Sequence, residues 1–342
     1  MIKNLKNTHI IMLVRILIVI LSLYFLQRLL MLKYQGKIKE GAFTSDYYKE
    51  NINHDVLMVG DCELYENVST VKMWEKYGIN SYIRGNAGQK MWQTYYLLKE
   101  ALSYEKPKVV VINALSMKYN EPKDEAYNRM TIDYMKWSKN KIDIINASKT
   151  KNENFIEYVF PILRYHDRIF DLKEEDFKYL FNKKDNVTLA GYYPKKGVKK
   201  AIKIKKEEKN LKFGKRAYFY LNKIRTLCSS NKIKLIIIKA PILSPKWQKN
   251  WDDEMNEYSK KYKIPYYNLY KYNDEIKIDY NKDTYDGGYH LNYKGADKIG
   301  DFLGKILQRK YGVRNRKNDK KLCKIWEKRV KKYRNFKEEI GE

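Results

Sequence analysis

The stretch "VLMVGDCELYEN", residues 56–67, contains an apolar run that stops at a glycine and is followed at once by Asp61, Cys62 and Glu63. A short apolar run without helical periodicity is typical of a buried strand. Polar residues directly after such a strand lie at its carboxyl end, where open α/β sheets bind their ligands. The stretch therefore predicts a buried parallel strand that presents Cys62 at the edge of a sheet.

Further apolar runs alternate with helical patterns along the rest of the chain. The predicted strands are 55–60, 81–84, 108–115, 233–241 and 264–269. The predicted helices are 68–78, 89–102, 217–231, 251–262 and 294–312. Strands that alternate with helices indicate a parallel sheet covered on both faces. We therefore predict an α/β three-layer sandwich with five parallel strands.

The N-terminus carries an apolar segment, 10–32, whose charged residues are Arg15 and Arg28. About 20 apolar residues are enough to span a bilayer. No small-residue cleavage site follows, which favours a retained transmembrane signal anchor over a cleaved signal peptide. The basic residues before the segment favour residues 1–9 in the cytoplasm and the soluble domain outside, although basic residues after it compete. A buried core helix is the alternative.

The remaining chain divides by composition. Residues 33–52 are a polar linker, and 53–312 form the predicted domain, in which 116–212 interrupt the strand–helix alternation as an insertion. Residues 313–342 are a basic tail with a predicted helix around Trp326.

The formal net charge of +29 over 342 residues is the strongest bias in composition. Such a charge favours a polyanionic partner, namely nucleic acid, anionic lipid or an acidic cell-surface polymer. Because the lysines are spread among acids and tyrosines, compositional drift is the alternative. The chain contains no nucleic-acid-binding motif, so we expect no specific nucleic-acid partner.

The three cysteines, Cys62, Cys228 and Cys323, lie far apart, which excludes a disulfide scaffold and a zinc site made only of cysteines. A single pair, such as Cys62 with Cys228, remains open. We expect no metal and no cofactor.

A thiol nucleophile requires a base, and His290 is the only histidine predicted at the carboxyl edge of the sheet. It lies in "DTYDGGYHLN", residues 283–292, where Asp286 precedes it by four residues. A carboxylate so close can hold the imidazole in one tautomer and stabilise its charged form. We therefore predict Cys62 as nucleophile, His290 as base and Asp286 as the residue that orients it. A solvated loop histidine is the alternative.

Acyl transfer also requires donors for a developing oxyanion. The candidates are the backbone N–H of Cys62, the glycines Gly85 and Gly88 after the second strand, and the side-chain amide of Asn113 after the third. A plain strand-to-helix turn is the alternative for both glycines.

Together these blocks resemble the SGNH/GDSL hydrolases, a flavodoxin-like α/β family named for a Ser, a Gly, an Asn and a His. "VGDCEL" is similar to the first block of that family, "GNAGQ" to the glycine block, Asn113 to the asparagine block and "DGGYHLN" to the final Asp–His block. The resemblance covers residues 53–312. With its N-terminal anchor, the chain is similar to the cell-surface branch of Gram-positive bacteria, in particular clostridial membrane proteins, and distantly to the protein for D-alanylation of teichoic acids.

Three departures from the family pattern concern the site. Cys62 replaces the serine, Asp286 and His290 are separated by three residues instead of two, and Asn113 lacks the usual Gly-x-Asn-Asp context. A helix N-terminus and an imidazolium lower the pKa of a thiol, whereas nearby carboxylates such as Asp61 and Glu63 raise it. Whether Cys62 ionises therefore depends on whether Asp61 and Glu63 permit it.

The resemblance implies a membrane-anchored acyl esterase or acyltransferase that acts on cell-envelope polysaccharide or teichoic-acid-type acyl groups. The implied partners are an acylated cell-envelope polymer, the anionic membrane surface and a membrane-bound acyltransferase. The alternative is a catalytically silent surface module that binds or assembles the acylation machinery, in which Cys62 is an ordinary small residue.

Overall fold

The structure, a computed structural model, describes residues 2–31, 43–174, 176–177, 189–202, 212–244 and 246–339. Parts of the predicted segments lie outside these residues. They are residue 1 of the N-terminus, residue 32 of the anchor, 33–42 of the linker, residues 175, 178–188 and 203–211 of the insertion, residue 245 of the domain, and 340–342 of the tail.

A five-stranded parallel sheet forms the centre of the protein, which confirms the predicted fold class. Its strands are β1 (Val56–Gly60), β2 (Ser81–Gly85), β3 (Val109–Asn113), β4 (Lys234–Lys239) and β5 (Tyr266–Asn268). Their order across the sheet is β2-β1-β3-β4-β5, and each neighbouring pair is parallel. Every residue of β1, β2 and β3 is buried. β1 and β3 are almost wholly apolar because helices cover both faces of the sheet.

Helices surround the sheet, and each predicted helix is present. The α-helices are α1 (Ile2–Leu30), α2 (Phe43–Tyr47), α3 (Cys62–Tyr65), α4 (Thr70–Tyr77), α5 (Met91–Ala101), α6 (Glu125–Ile132), α7 (Lys139–Ser148), α8 (Phe155–Val159), α9 (Ile162–Tyr165), α10 (Lys215–Ser230), α11 (Lys249–Tyr262), α12 (Asn273–Ile276), α13 (Tyr293–Tyr311) and α14 (Lys320–Glu338). Short 3₁₀-helices cover Leu115–Lys118, His166–Asp171 and Leu269–Tyr272.

Helix ends follow local sequence signals. The side chain of Ser69 accepts a hydrogen bond from the Lys72 N–H at the start of α4, and Gly78 ends that helix in the left-handed conformation, at φ +63°. Asn292 caps α13 in the same way as Ser69, by accepting from the N–H groups of Lys294 and Gly295. Such caps satisfy backbone groups that have no partner within the helix.

The predicted tail helix is α14, and it packs on the domain. The ring of Trp326 stacks on Trp74 of α4, with ring centroids 5.1 Å apart, and its Nε1–H donates to Asn80 at 2.9 Å. Trp326 is fully buried. The basic tail therefore contributes an aromatic anchor to the fold as well as charge.

The N-terminal helix α1 contains the apolar segment His9–Leu30, which has a mean hydropathy of 2.5. Its length and composition suit a membrane crossing, and none of its most apolar part is buried inside the protein. A core helix would be covered, so α1 agrees with a signal sequence or a membrane anchor.

Candidate active site

A tight turn carries the chain from β1 into α3. The Asp61 side chain begins the helix by accepting a hydrogen bond from the Glu63 N–H at 2.9 Å. A larger residue than glycine would clash at position 60, because a Cβ there would lie 2.0 Å from Oδ1 of Asn113, at the end of β3. The crowded turn places Cys62 at the carboxyl edge of the sheet, where the sequence predicts it.

A cleft of about 320 Å³ opens at this edge. Cys62, His290 and Asp286 all line it. The remaining lining residues are Asp61, Tyr65, Glu66, Ala87, Gly88, Leu115, Lys118, Tyr119, Tyr127, Lys195, Ile242, Ser244, Tyr285 and Tyr289. The structure thus brings the three predicted catalytic side chains to one concave surface, which is where ligands usually bind.

Asp286 holds His290 through two contacts. Its Oδ2 lies 2.7 Å from the imidazole Nδ1, and its Oδ1 accepts a hydrogen bond from the His290 backbone N–H at 2.8 Å. The loop folds back because Gly287 and Gly288 adopt φ values of +87° and +106°, which suit glycine. The unusual spacing between Asp286 and His290 therefore still brings their side chains together.

Cys62 and His290 line the same cleft, close enough for each group to shift the pKa of the other. Because Nδ1 faces Asp286, Nε2 is the ring nitrogen left for the sulfur. The three side chains therefore lie in the order thiol, imidazole and carboxylate, which is the order predicted for a nucleophile, its base and an orienting acid.

The sequence left open whether the acids beside Cys62 let it ionise, and the surroundings of the thiol in the structure raise its pKa. Burial raises the pKa of Cys62 to about 11; contact with His290 opposes this, and the charges of Asp61 and Glu66 add to it. The helix that begins at Cys62 has only four residues, so few aligned peptide dipoles favour a thiolate. At neutral pH the thiol therefore keeps its proton until a base removes it.

The other two groups respond to each other. Burial lowers the pKa of His290, but the charge of a Cys62 thiolate and the hydrogen bond with Asp286 outweigh that effect, so the imidazolium is favoured once the sulfur has lost its proton. For Asp286, burial raises the pKa, but the hydrogen bond and charge of His290 prevail and lower it. Asp286 is therefore ionised and can stabilise an imidazolium.

A buried polar network lies behind the cleft. Nζ of Lys239, the last residue of β4, is 2.5 Å from Oε1 of Glu63, and both side chains are fully buried. Asn113 joins them, since its Nδ2 donates to Asp61 at 2.8 Å and to Glu63 at 3.4 Å. Glu63 is therefore neutralised by a lysine that sequence reasoning did not pair with it.

The predicted oxyanion donors differ in position. Gly88 lines the cleft, at φ +59°. Gly85 pairs with Gly60 within the sheet, where a Cβ would lie 2.6 Å from the Gly60 carbonyl oxygen. The close approach of the two strands therefore explains why residue 85 is a glycine, without a role in binding an oxyanion. Asn113 lies at the right edge, but its amide serves Asp61 and Glu63, so its role as a donor stays a prediction.

Sequence reasoning missed three cleft residues that surround the histidine. Glu66 lies 3.8 Å from Nδ1 of His290 and accepts a hydrogen bond from the Tyr285 hydroxyl at 2.6 Å. Lys195 lies 3.4 Å from Glu66. Tyr285 belongs to the same block as His290, and Glu66 follows Cys62 by four residues, so both had a weak sequence signal. Lys195 comes from a segment without periodicity and had none.

In the part of the chain that the structure describes, Cys62, Cys228 and Cys323 are all free thiols. No group of three or more His, Cys, Asp or Glu side chains in those residues is arranged to hold a metal ion.

No protein-family model and no curated protein matches this chain. Among solved structures it is similar to a Bacteroides fragilis protein named as an acylhydrolase, at 14% identity and a TM-score of 0.38, over 78% of this chain and 94% of that one. A lipolytic protein of the G-D-S-L family from Desulfitobacterium hafniense shares 12% identity at a TM-score of 0.36, over 75% of this chain and 100% of that one. A GDSL-like lipase from Bacteroides thetaiotaomicron shares 15% identity at a TM-score of 0.37, over 79% and 100%.

Proposed function

We propose that this chain is a membrane-anchored acyl esterase or acyltransferase of the SGNH/GDSL type, with Cys62 as its nucleophile. The observation that carries the proposal is the gathering of Cys62 and the hydrogen-bonded pair His290–Asp286 in one cleft at the carboxyl edge of the sheet. An enzyme of acyl transfer needs this set of groups.

In the first half-reaction, Nε2 of His290 takes the proton of the Cys62 thiol as the sulfur attacks the carbonyl carbon of an ester. The tetrahedral intermediate collapses to a thioester on Cys62, and the leaving alcohol takes the proton from the imidazolium. Asp286 accepts the Nδ1–H throughout and stabilises the positive ring. A base is essential here because burial raises the pKa of the thiol.

The developing oxyanion requires donors close to the sulfur. Cys62 is the first residue of α3, so its backbone N–H has no acceptor within the helix. Gly88 faces the same cleft from the turn after β2. We assign these two N–H groups to the oxyanion.

In the second half-reaction, an acceptor hydroxyl attacks the thioester while His290 takes its proton. Water as acceptor releases the free acid and makes the protein an esterase. A sugar hydroxyl as acceptor makes it an acyltransferase. In both cases the proton returns from His290 to the sulfur, and the site is restored.

The cleft suits an acylated cell-envelope polysaccharide or a teichoic-acid-type polymer. The tyrosines in its wall, such as Tyr119 and Tyr127, offer flat surfaces to sugar rings, and Lys118 and Lys195 bring positive charge for phosphate groups.

Anchoring by α1 places the domain at the membrane, where a membrane-bound acyltransferase is the proposed source of acyl groups. We propose that residues 1–9 are cytoplasmic. Labelling of the partly exposed Cys323 on intact cells by an impermeant maleimide tests this orientation.

The test compares Cys62→Ala and Cys62→Ser with the full wild-type chain in detergent, using p-nitrophenyl acetate and an acylated polymer. We expect Cys62→Ala to lose at least about 100-fold in kcat/KM, because the covalent step disappears. Cys62→Ser should keep part of the activity. Cys323→Ala is the matched control and should leave the rate unchanged. An inactive wild type, or full activity in Cys62→Ala, would contradict the assignment.

A second candidate function is a non-catalytic module that binds or assembles the acylation machinery. The raised pKa of Cys62 favours it, because such a thiol is a poor nucleophile without a base. This function predicts normal envelope acylation in a Cys62→Ala strain and loss only when the domain is deleted. The esterase or transferase predicts loss in both strains.

A further inference from the structure

A group of apolar side chains lies exposed on the short helices α8 and α9, on the turn between them and on the 3₁₀-helix His166–Asp171. We call this group the apolar patch, and its members are Ile156 (50% exposed), Phe160 (51%), Leu163 (51%), Ile169 (49%) and Phe170 (90%). Single exposed apolar residues are ordinary on a protein surface. Five large ones within 15 residues mark an interaction surface more often than chance exposure.

The C-terminal end of α1 is attached to the same segment. Arg168 donates hydrogen bonds from Nη1 to the backbone carbonyl oxygens of Leu30 at 2.5 Å and Met31 at 3.0 Å. Its Nη2 is held by Asp176 at 3.0 Å. These bonds satisfy carbonyl groups that have no partner at the end of a helix. The 3₁₀-helix that carries Ile169 and Phe170 is therefore tied directly to the end of α1.

Apolar packing strengthens this attachment. Leu30 and Met31 are buried with Tyr134 and Tyr165 in a small cluster that is separate from the main core. Tyr165 belongs to α9, the helix that also carries Leu163 of the apolar patch. The end of α1 and the apolar patch are thus connected by these side-chain contacts as well as by the chain itself.

The position of α1 identifies what covers the apolar patch. The segment His9–Leu30 is long and apolar enough to cross a bilayer, and Leu30 is its last residue. In a bilayer of about 30 Å hydrocarbon thickness, this end of the helix lies at the boundary between acyl chains and headgroups. The apolar patch, fixed beside it, lies at the same depth.

We propose that the apolar patch inserts into the bilayer interface and docks the soluble domain against the membrane next to its own anchor. The partner is the phospholipid bilayer that contains α1. Burial of about half of five large side chains adds favourable free energy of the kind that holds interfacial helices on membranes. The exposed acids Asp167 and Asp171 in the same 3₁₀-helix keep the insertion shallow, because a carboxylate remains in the hydrated headgroup layer.

Two arginines near the end of α1 fit this position. The guanidinium of Arg28 lies over the Tyr134 ring, 5.8 Å from its centroid, close to the end of α1. Arg164 of α9 is about half exposed and is paired with Glu125 at 2.6 Å. Arginines at this depth reach phosphate groups of the headgroups while their stems cover apolar surface.

The test places the photoreactive residue p-benzoylphenylalanine at single positions of the full chain in phospholipid nanodiscs. Phe170 reports on the apolar patch. Phe25 of α1 (51% exposed) reports on the anchor, and Phe219 of α10 (54% exposed) is the matched control on the main domain. After irradiation, mass spectrometry counts covalent lipid adducts at each position.

We expect lipid adducts at positions 25 and 170, with a yield at 170 at least about fivefold higher than at 219. Equal yields at 170 and 219, with adducts at 25, would overturn the docking. Cross-linked protein dimers at 170 without lipid adducts would overturn it in favour of a second copy on the patch. Absence of adducts at 25 would also overturn it, since the inference depends on α1 lying in the bilayer. None of these outcomes depends on Cys62 or on enzymatic activity.

Discussion

Replacing Asp61 by asparagine should stabilise the protein in alkaline solution and change its stability little in acid. Asp61 is buried, with 2% of its surface exposed. Its Oδ1 accepts both the Glu63 N–H and the Asn113 Nδ2–H. An asparagine Oδ1 can accept the same two bonds, so Asp61→Asn removes the charge and preserves the turn that carries Cys62.

The size of the effect follows from the pKa of Asp61. Burial raises the pKa from the ordinary 3.8 to about 7, the nearby charge of Glu63 adds to this, and the hydrogen bond from the Glu63 N–H opposes it. Between these two values the folded protein holds a proton that the unfolded chain has released, so the free energy of unfolding falls as pH rises. At about 1.4 kcal/mol per pH unit, the loss reaches about 4 kcal/mol above neutral pH.

The assay is urea unfolding of the full chain in non-ionic detergent, followed by tryptophan fluorescence, at about pH 4 and about pH 8. The gain of Asp61→Asn over wild type should be small at the lower pH and should grow by about 2–4 kcal/mol at the higher pH. Asp253→Asn, at an exposed site of α11, is the control and should show no such growth. An equal difference between Asp61→Asn and wild type at both pH values would refute the reasoning.

The same substitution tests the coupling between Asp61 and the nucleophile. The charge of Asp61 raises the pKa of Cys62, so its removal should lower that pKa. The pH dependence of alkylation by iodoacetamide, measured in a Cys228→Ala, Cys323→Ala background, reports the change. An unchanged alkylation profile would show that Asp61 does not influence the thiol.

Further substitutions test the buried ion pair behind the cleft and the packing of two glycines. Lys239→Met leaves the Glu63 carboxylate buried without its cation and should cost about 3–5 kcal/mol by thermal unfolding, whereas adding Glu63→Gln should restore part of the loss. Gly191→Ala places a Cβ 1.9 Å from the Ile83 carbonyl oxygen at φ +79°, so it should destabilise strongly. Gly197→Ala, at φ +86° with open space around it, should cost only about 1–2 kcal/mol; similar losses for the two glycines would contradict this.

The regular elements were predictable because their signals are local. The apolar run 55–60 predicts a strand, and the structure has Val56–Gly60. The pattern 68–78, with its final glycine, predicts a helix, and the structure has Thr70–Tyr77 with Gly78 as its cap. Buried parallel strands and capped helices depend on neighbouring residues and on the period of the apolar positions, which a sequence displays directly.

The approximate location of the site was predictable as well. The carboxyl ends of parallel strands meet at one edge, so Cys62 and His290 were expected near each other although 228 positions separate them. The sequence did not predict which polar side chains contact each other behind the cleft. Asn113 donates to Asp61, and Glu63 pairs with Lys239, because the direction of each side chain depends on contacts between strands that are remote in sequence.

The sequence by itself determined the α/β class, the run of elements, the exposed apolar helix and the candidate thiol, imidazole and carboxylate. Only the tertiary structure decided the state of that thiol. The pKa of Cys62 depends on how fully the surrounding segments exclude water and on the distances to Asp61, Glu66 and His290. Both are set by packing between residues that are remote in sequence, and electrostatic energies in a desolvated site change steeply with distance.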